Sequence, residues 1–124
     1  MSYPELFLKK NEDKRLRQGH LWVFSNEVDI KRSPLEQFTA GDLCLVKDSG
    51  GNALGVAYIN PNILICARIL TRKPNTKIGE NFFKLRLTQA LQLRERLFEK
   101  PYYRLVFAES DGLPGLVVDR FDKV

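Results

Sequence analysis

The chain is poor in the residues from which most active sites are built, with two cysteines, one histidine, one tryptophan and one methionine among 124 residues. Cys44 and Cys66 stand singly inside apolar runs, without the paired C-x-x-C spacing of a zinc site, so they read as buried small hydrophobes. His20, the only imidazole, lies far from both cysteines, and nothing near it supports nucleophilic chemistry. There is no G-x-G-x-x-G sequence, and Gly50-Gly51 falls in a hairpin turn with no helix behind it to receive a phosphate. No apolar run approaches the roughly 18 residues of a membrane span, and the N-terminus lacks the apolar core of a signal peptide. A cytoplasmic protein is expected, with no metal, cofactor or catalytic site inside these residues.

What is present is an ordinary globular composition, 44% apolar and 28% charged, carrying a net charge of +5. The charge is not gathered in a tail: residues 1–72 hold ten basic and eight acidic side chains, and residues 73–124 hold ten and seven. A basic surface spread over a folded domain suits a polyanionic partner without requiring one.

Residues 1–72 read as short strands joined by turns, and residues 78–100 as a helix, with Lys73-Pro74-Asn75 as the joint. Glu5 to Lys9 is a brief strand. Glu12 to Gln18 is charged enough for one or two exposed helical turns ended by Gly19, and His20 to Phe24 returns to extended structure. Leu43 to Lys47, Ala53 to Tyr58 and Ile63 to Leu70 are β-rich runs separated by glycine, asparagine and proline turns. Strands this short need closure to protect their edges, so a small mixed β-barrel is predicted, within an α+β fold.

The second module opens with a helix from Glu80 to Glu99 that Pro101 ends. At 100° per residue Phe83, Leu87, Ala90, Leu91, Leu97 and Phe98 share one face, which predicts a buried stripe. Arg94 falls near the middle of that stripe. A cation there needs a carboxylate or carbonyl partner, and Glu109 and Asp111 are the candidates. Tyr102 to Ala108 reads as a strand.

Lys9, Lys10, Lys14, Arg15 and Arg17 form a basic turn just ahead of His20 and Trp22. Cations neutralise phosphates and flat rings stack on unpaired bases, so this segment is the candidate RNA-contact surface. Trp22 itself reads as a core residue. Glu109, Asp111 and Asp119 could form a carboxylate constellation, but aspartate and serine in a turn serve as caps, and turn structure is the stronger expectation.

The chain closes on Glu109-Ser110-Asp111-Gly112-Leu113-Pro114-Gly115-Leu116-Val117-Val118-Asp119-Arg120, a glycine-proline turn launching an apolar strand. A lone strand leaves its ladder groups unpaired, which predicts that the protein continues past residue 124. It also predicts a possible dimer by edge pairing or exchange of residues 102–124.

Gly41-Asp42 with Leu43 to Asp48, followed by Ala53 to Tyr58, resembles the strand pair of PUA domains. That pair, Gly19-His20-Leu21-Trp22-Val23-Phe24, the helix from Phe82 to Leu97 and the motif at 109–120 together resemble the large-subunit (23S) ribosomal RNA cytosine-5 methyltransferases that use S-adenosylmethionine. The structural signature of that motif comprises Glu109, Asp111, Gly112, Pro114 and Gly115, with Arg94 facing it from the helix. The resemblance implies a PUA-like domain at 1–72 and the first part of a central α/β domain at 73–124. A Rossmann-like methyltransferase domain, with the catalytic cysteine and the S-adenosylmethionine site, would lie beyond residue 124. Neither Cys44 nor Cys66 matches the catalytic cysteine. Leu21 stands where many members have proline, which loosens the turn. The implied partner is large-subunit ribosomal RNA.

Overall fold

A computed structural model describes residues 3–123. In chain order the elements are β1 (Glu5–Phe7), α1 (Lys14–Arg17), β2 (Trp22–Phe24), β3 (Asp42–Lys47), β4 (Ala53–Ile59), β5 (Ile65–Thr71), α2 (Glu80–Leu97), β6 (Tyr102–Phe107) and β7 (Val117–Phe121). Single 3₁₀ turns cover Ser25–Glu27, Leu35–Gln37 and Ala108–Asp111. The described residues divide into two compact units, the first ending at Thr76 and the second starting at Lys77.

The first unit is a five-stranded mixed sheet in the order β1-β3-β4-β5-β2, with β1 parallel to β3 and the other pairs antiparallel. Past β2 the chain passes through the Ser25–Glu27 turn and pairs with the end of β1. Leu8 bridges Val28, the Lys9 N–H donates to the Glu27 carbonyl at 2.9 Å, and the Asp29 N–H donates to the Phe7 carbonyl at 2.8 Å. The sheet therefore curls until its two ends are tied, which satisfies edge groups that short strands would otherwise expose.

Strand side chains alternate between faces, and the interior takes one set: Leu6, Val23, Cys44, Val46, Ala57, Ile59 and Ala67. Leu16 of α1 joins them, so a helix of one turn is held by one buried leucine, worth roughly 2 kcal/mol. Its C-terminal end is closed by Arg72, whose guanidinium donates to the carbonyls of Leu16 at 2.6 Å and His20 at 3.1 Å. The core expectation for Trp22 is overturned. Val23 takes the inward position, and the period of two turns Trp22 to the outer face, where 40% of its surface is exposed.

Gly55 lies where β4 and β5 press together. Its φ is +154°, and a side chain there would place Cβ 2.4 Å from the Thr71 carbonyl oxygen. Only glycine lets the two backbones approach this closely.

The second unit packs α2 against the antiparallel pair β6–β7. Its buried centre is small: Ala90 from the helix, Val106 from β6 and Leu113 from the turn, with Leu105 and Val118 beside them. The broad buried stripe expected on α2 narrows to Ala90, while Phe83, Leu87, Leu97 and Phe98 are exposed. A two-stranded sheet is too narrow to cover the apolar face of an 18-residue helix. The terminal strand is not alone either, since β7 pairs along its length with β6 in the register Tyr102↔Phe121 to Phe107↔Val117.

Candidate nucleic-acid interface

The basic turn sits between β1 and β2, on and just before α1. Lys9, Lys10, Lys14, Arg15, Arg17, His20 and Trp22 are all exposed, so the fold presents them on the surface of one unit. It does not leave them equally available.

Arg15 donates from Nη2 to Glu27 Oε2 at 2.7 Å, and its guanidinium lies 5.0 Å from the centre of the Phe24 ring. Glu27 is buried and also accepts the Phe24 N–H at 2.8 Å on its other oxygen. A buried carboxylate needs this pairing, so Arg15 compensates a charge inside the fold. The hydrogen bond to Glu27 and then its charge hold the Arg15 guanidinium above its ordinary value.

Arg17 has a similar role. It reaches Asp13 at 2.5 Å and Asp48 at 2.6 Å. Asp48 in turn closes the β3–β4 hairpin by accepting the N–H groups of Gly50 at 3.0 Å and Asn52 at 2.8 Å. The Asn52 backbone and side-chain hydrogen bonds, reinforced by Gly50 and Arg17, hold the Asp48 carboxyl below the ordinary carboxylate range although burial works the other way. Lys9, Lys10 and Lys14 carry no carboxylate partner among the described residues. Trp22 faces out with the Arg68 guanidinium 5.3 Å from its ring centre, across the register pair Trp22↔Arg68.

Sequence reasoning missed cations that lie far along the chain. The Arg32 guanidinium sits 3.7 Å from the centre of the Phe7 ring and donates to the Ser49 carbonyl at 2.9 Å. Lys47, opposite Phe7 in the β1–β3 register, pairs with Glu5 at 2.6 Å. Lys47 closes the β-rich run of β3, and nothing local tied Arg32 to β1.

The motif in the second unit is structural. Arg94 meets Asp111 with both nitrogens, Nη1 to Oδ1 at 2.5 Å and Nη2 to Oδ2 at 2.8 Å, and its Nε donates to the Arg104 carbonyl at 3.0 Å. Asp111 also accepts the Phe107 N–H at 2.6 Å. Gly112 adopts φ +71°, and its carbonyl accepts from Arg86 Nη1 at 2.5 Å. The Gly112 N–H donates to the Glu109 carbonyl at 3.1 Å, and buried Pro114 with Gly115 at φ +80° carries the chain on toward β7. Asp119 pairs with Arg104 across β6–β7 at 2.7 Å. Asp111 thus serves the turn and Asp119 the hairpin, and no group of three His, Cys, Asp or Glu side chains suited to a metal occurs among the described residues.

Both cysteines are free and buried. Burial pushes the Cys44 thiol up to about 12 and the Cys66 thiol up to about 11, so neither supplies a thiolate near neutrality.

Comparison with known proteins agrees with this architecture. A PUA-like domain family matches residues 6–72, and the chain belongs to that family. The chain is 37% identical over 119 residues to the ribosomal RNA large subunit methyltransferase I of Aliivibrio fischeri (strain MJ11), which covers 94% of this chain and 29% of the relative. It is 40% identical over 122 residues to the protein of the same name from Cronobacter sakazakii, covering 94% of this chain and 29% of the relative. The chain therefore spans under a third of the length of these curated relatives. Among solved structures, "A putative sam-dependent methyltransferase from Streptococcus mutans" superposes with a TM-score of 0.77 at 15% identity, over 96% of this chain and 31% of that one. "Crystal structure of SMU.776, a putative methyltransferase complexed with SAH" gives a TM-score of 0.78, also at 15% identity, over 96% of this chain and 30% of that one. At that identity the likeness is one of fold. No helix among the described residues is long and apolar enough to cross a membrane.

Proposed function

We propose that this chain is the RNA-holding part of a larger cytoplasmic methyltransferase that uses S-adenosylmethionine to methylate large-subunit ribosomal RNA at C5 of a cytosine. The observation that carries the reading is the match of nearly the whole chain, across both units, to relatives named for methylation of that RNA. The PUA-like unit with its exposed lysines supports the holding role. In such a reaction a thiolate adds to C6 of cytosine, C5 takes the methyl group as the donor's sulfur–methyl bond breaks, and loss of the C5 proton to a base expels the thiolate from C6. Cys44 and Cys66, sealed in the core as thiols, are unsuited to that addition, so the nucleophile is assigned to the rest of the protein. No described residue is assigned to S-adenosylmethionine.

A second reading, a PUA-like scaffold or protein-interaction module attached to a different RNA-modifying domain, is favoured by one observation: Arg15 and Arg17 are occupied by Glu27, Asp13 and Asp48. Salt separates the two, because phosphate-driven binding weakens steeply as salt rises and apolar protein contacts do not. The test is binding of this chain to transcribed pieces of large-subunit ribosomal RNA over a salt series. It is joined by nucleoside analysis of unmethylated ribosomal RNA treated with the whole protein and a methyl-labelled donor. Salt-sensitive binding with label in 5-methylcytidine is expected. Label in another base overturns the cytosine assignment, and the absence of RNA binding by this chain overturns the holding role.

A further inference from the structure

The cations of the first unit fall into two sets that the sequence does not distinguish. Arg15 and Arg17 are neutralised by Glu27, Asp13 and Asp48, and all three carboxylates belong to the fold. Both guanidinia stay half exposed, but a phosphate that engages them competes with carboxylates already in place, two of them buried, and so gains less than it would from an unpaired cation. Lys9, Lys10, Lys31 and Arg32, like Lys14 of α1, are exposed and have no carboxylate within ion-pair distance among the described residues.

These four are brought to one place by the closure of the sheet. Segment 7–9 runs beside segment 27–29 through the Leu8↔Val28 bridge and its flanking hydrogen bonds, and the turn that follows returns Ser33 to β1, where its Oγ accepts the Phe7 N–H at 2.9 Å. Arg32 therefore stands over Phe7 at the end of β1, with Lys31 beside it in the turn and Lys9 and Lys10 next along the chain from β1. Asp29 is the acid of this turn, and its Oδ1 accepts the backbone N–H groups of Lys31 at 3.2 Å and Arg32 at 3.5 Å. Arg32 is ordered before any ligand arrives, with Phe7 beneath its plane and the Ser49 carbonyl on one edge. A guanidinium carries five N–H donors, and a pre-ordered one loses less conformational entropy when it engages an oxyanion.

We propose that Lys9, Lys10, Lys31 and Arg32, carried by the two segments that meet at the end of β1, are the phosphate-contacting set of this protein, and that Arg15 and Arg17 hold the fold. This rests on the RNA-holding reading and specifies the surface that performs it. An RNA backbone laid across β1 would meet the ordered Arg32 first, with the three lysines adapting around it.

The experiment measures the salt dependence of binding to transcribed large-subunit ribosomal RNA fragments for four proteins: the unmodified chain, Lys9→Ala/Lys10→Ala/Lys31→Ala, Arg32→Lys, and Arg15→Ala/Arg17→Ala. Each released phosphate contact lowers the slope of log K against log salt by about 0.7–0.9. The triple lysine variant should lose about 2 from the slope while its thermal unfolding stays unchanged. Arg32→Lys keeps the charge and loses the flat stack on Phe7, so affinity should fall several-fold at an unchanged slope. Arg15→Ala/Arg17→Ala should unfold at a lower temperature and keep the slope wherever it is folded. A slope unchanged in the triple variant, beside RNA binding by the unmodified chain, overturns this assignment alone. No binding by the unmodified chain overturns the RNA-holding reading as well.

Discussion

Arg94 and Asp111 face each other with two parallel hydrogen bonds of 2.5 and 2.8 Å, joining the last turn of α2 to the turn that precedes β7. Their side chains are 12% and 5% exposed. A planar guanidinium matched to a carboxylate in this way fixes geometry as well as charge, and the Arg104 carbonyl and Phe107 N–H complete the set. In a unit whose apolar centre is as small as Ala90, Val106 and Leu113, this pair orients the hairpin on the helix.

Asp111→Asn should therefore destabilise the protein by about 3 kcal/mol near neutrality, read by denaturant unfolding, since it leaves Arg94 without a counter-charge. Burial raises the Asp111 carboxyl, but the Arg94 hydrogen bonds, the Phe107 N–H and the Arg94 charge outweigh it and hold it below its ordinary value. A carboxyl lowered on folding stabilises fully above its unfolded pKa near 3.9, and that stabilisation is lost as pH falls through the folded value. The deficit of the variant should shrink below about pH 4; an equal deficit at pH 3 and pH 7 would show that charge is not the cause.

Gly55→Ala should cost roughly 3 kcal/mol, because the methyl would sit 2.4 Å from the Thr71 carbonyl at a backbone φ that side chains avoid. The damage should localise to the β4–β5 ladder, seen as faster amide exchange of Val56 to Ile59 and Arg68 to Thr71. Gly51→Ala, at φ +89° but with nothing within 4 Å, provides the comparison and should cost less.

Neither thiol of the native protein should react with a disulfide reagent at pH 8 over minutes, and both should react once denaturant is added, because Cys44 and Cys66 are buried and stay protonated well above that pH. Replacing either by serine should leave RNA binding intact. Rapid labelling of the folded chain would contradict the buried-hydrophobe role.

The two-stranded sheet keeps an outer edge on β6 and another on β7 with no partner strand among the described residues. Edges of this kind template further pairing, and the exposed Phe107, Val117 and Phe121 lie along them. Sedimentation of this chain should show a concentration-dependent dimer that a charged residue at Val117 weakens; a monomer at high concentration would overturn the expectation.

The sequence by itself determined roughly where the strands and the two α-helices lie, while the 3₁₀ turns went unread. Turn dipeptides, the glycine after Gln18, the β-rich runs of β3 and β4 and the proline after Lys100 are local signals, and the backbone obeys them because φ preferences act over a few residues. It also marked Arg94 as a cation needing a partner and offered Glu109 and Asp111; the tertiary structure chose Asp111. Which way Trp22 faces could not be read locally, because a shift of one residue in register reverses a strand and the register is set by pairing with β5. The extent of burial on α2 likewise depends on how wide a surface β6 and β7 offer. The division of the basic residues into those that hold the fold and those left for a ligand was the largest decision left to the tertiary structure. Charge in a sequence is a count, whereas its availability depends on which carboxylates the folded chain brings within about 4 Å, and Glu27 and Asp48 reach Arg15 and Arg17 only because the sheet closes.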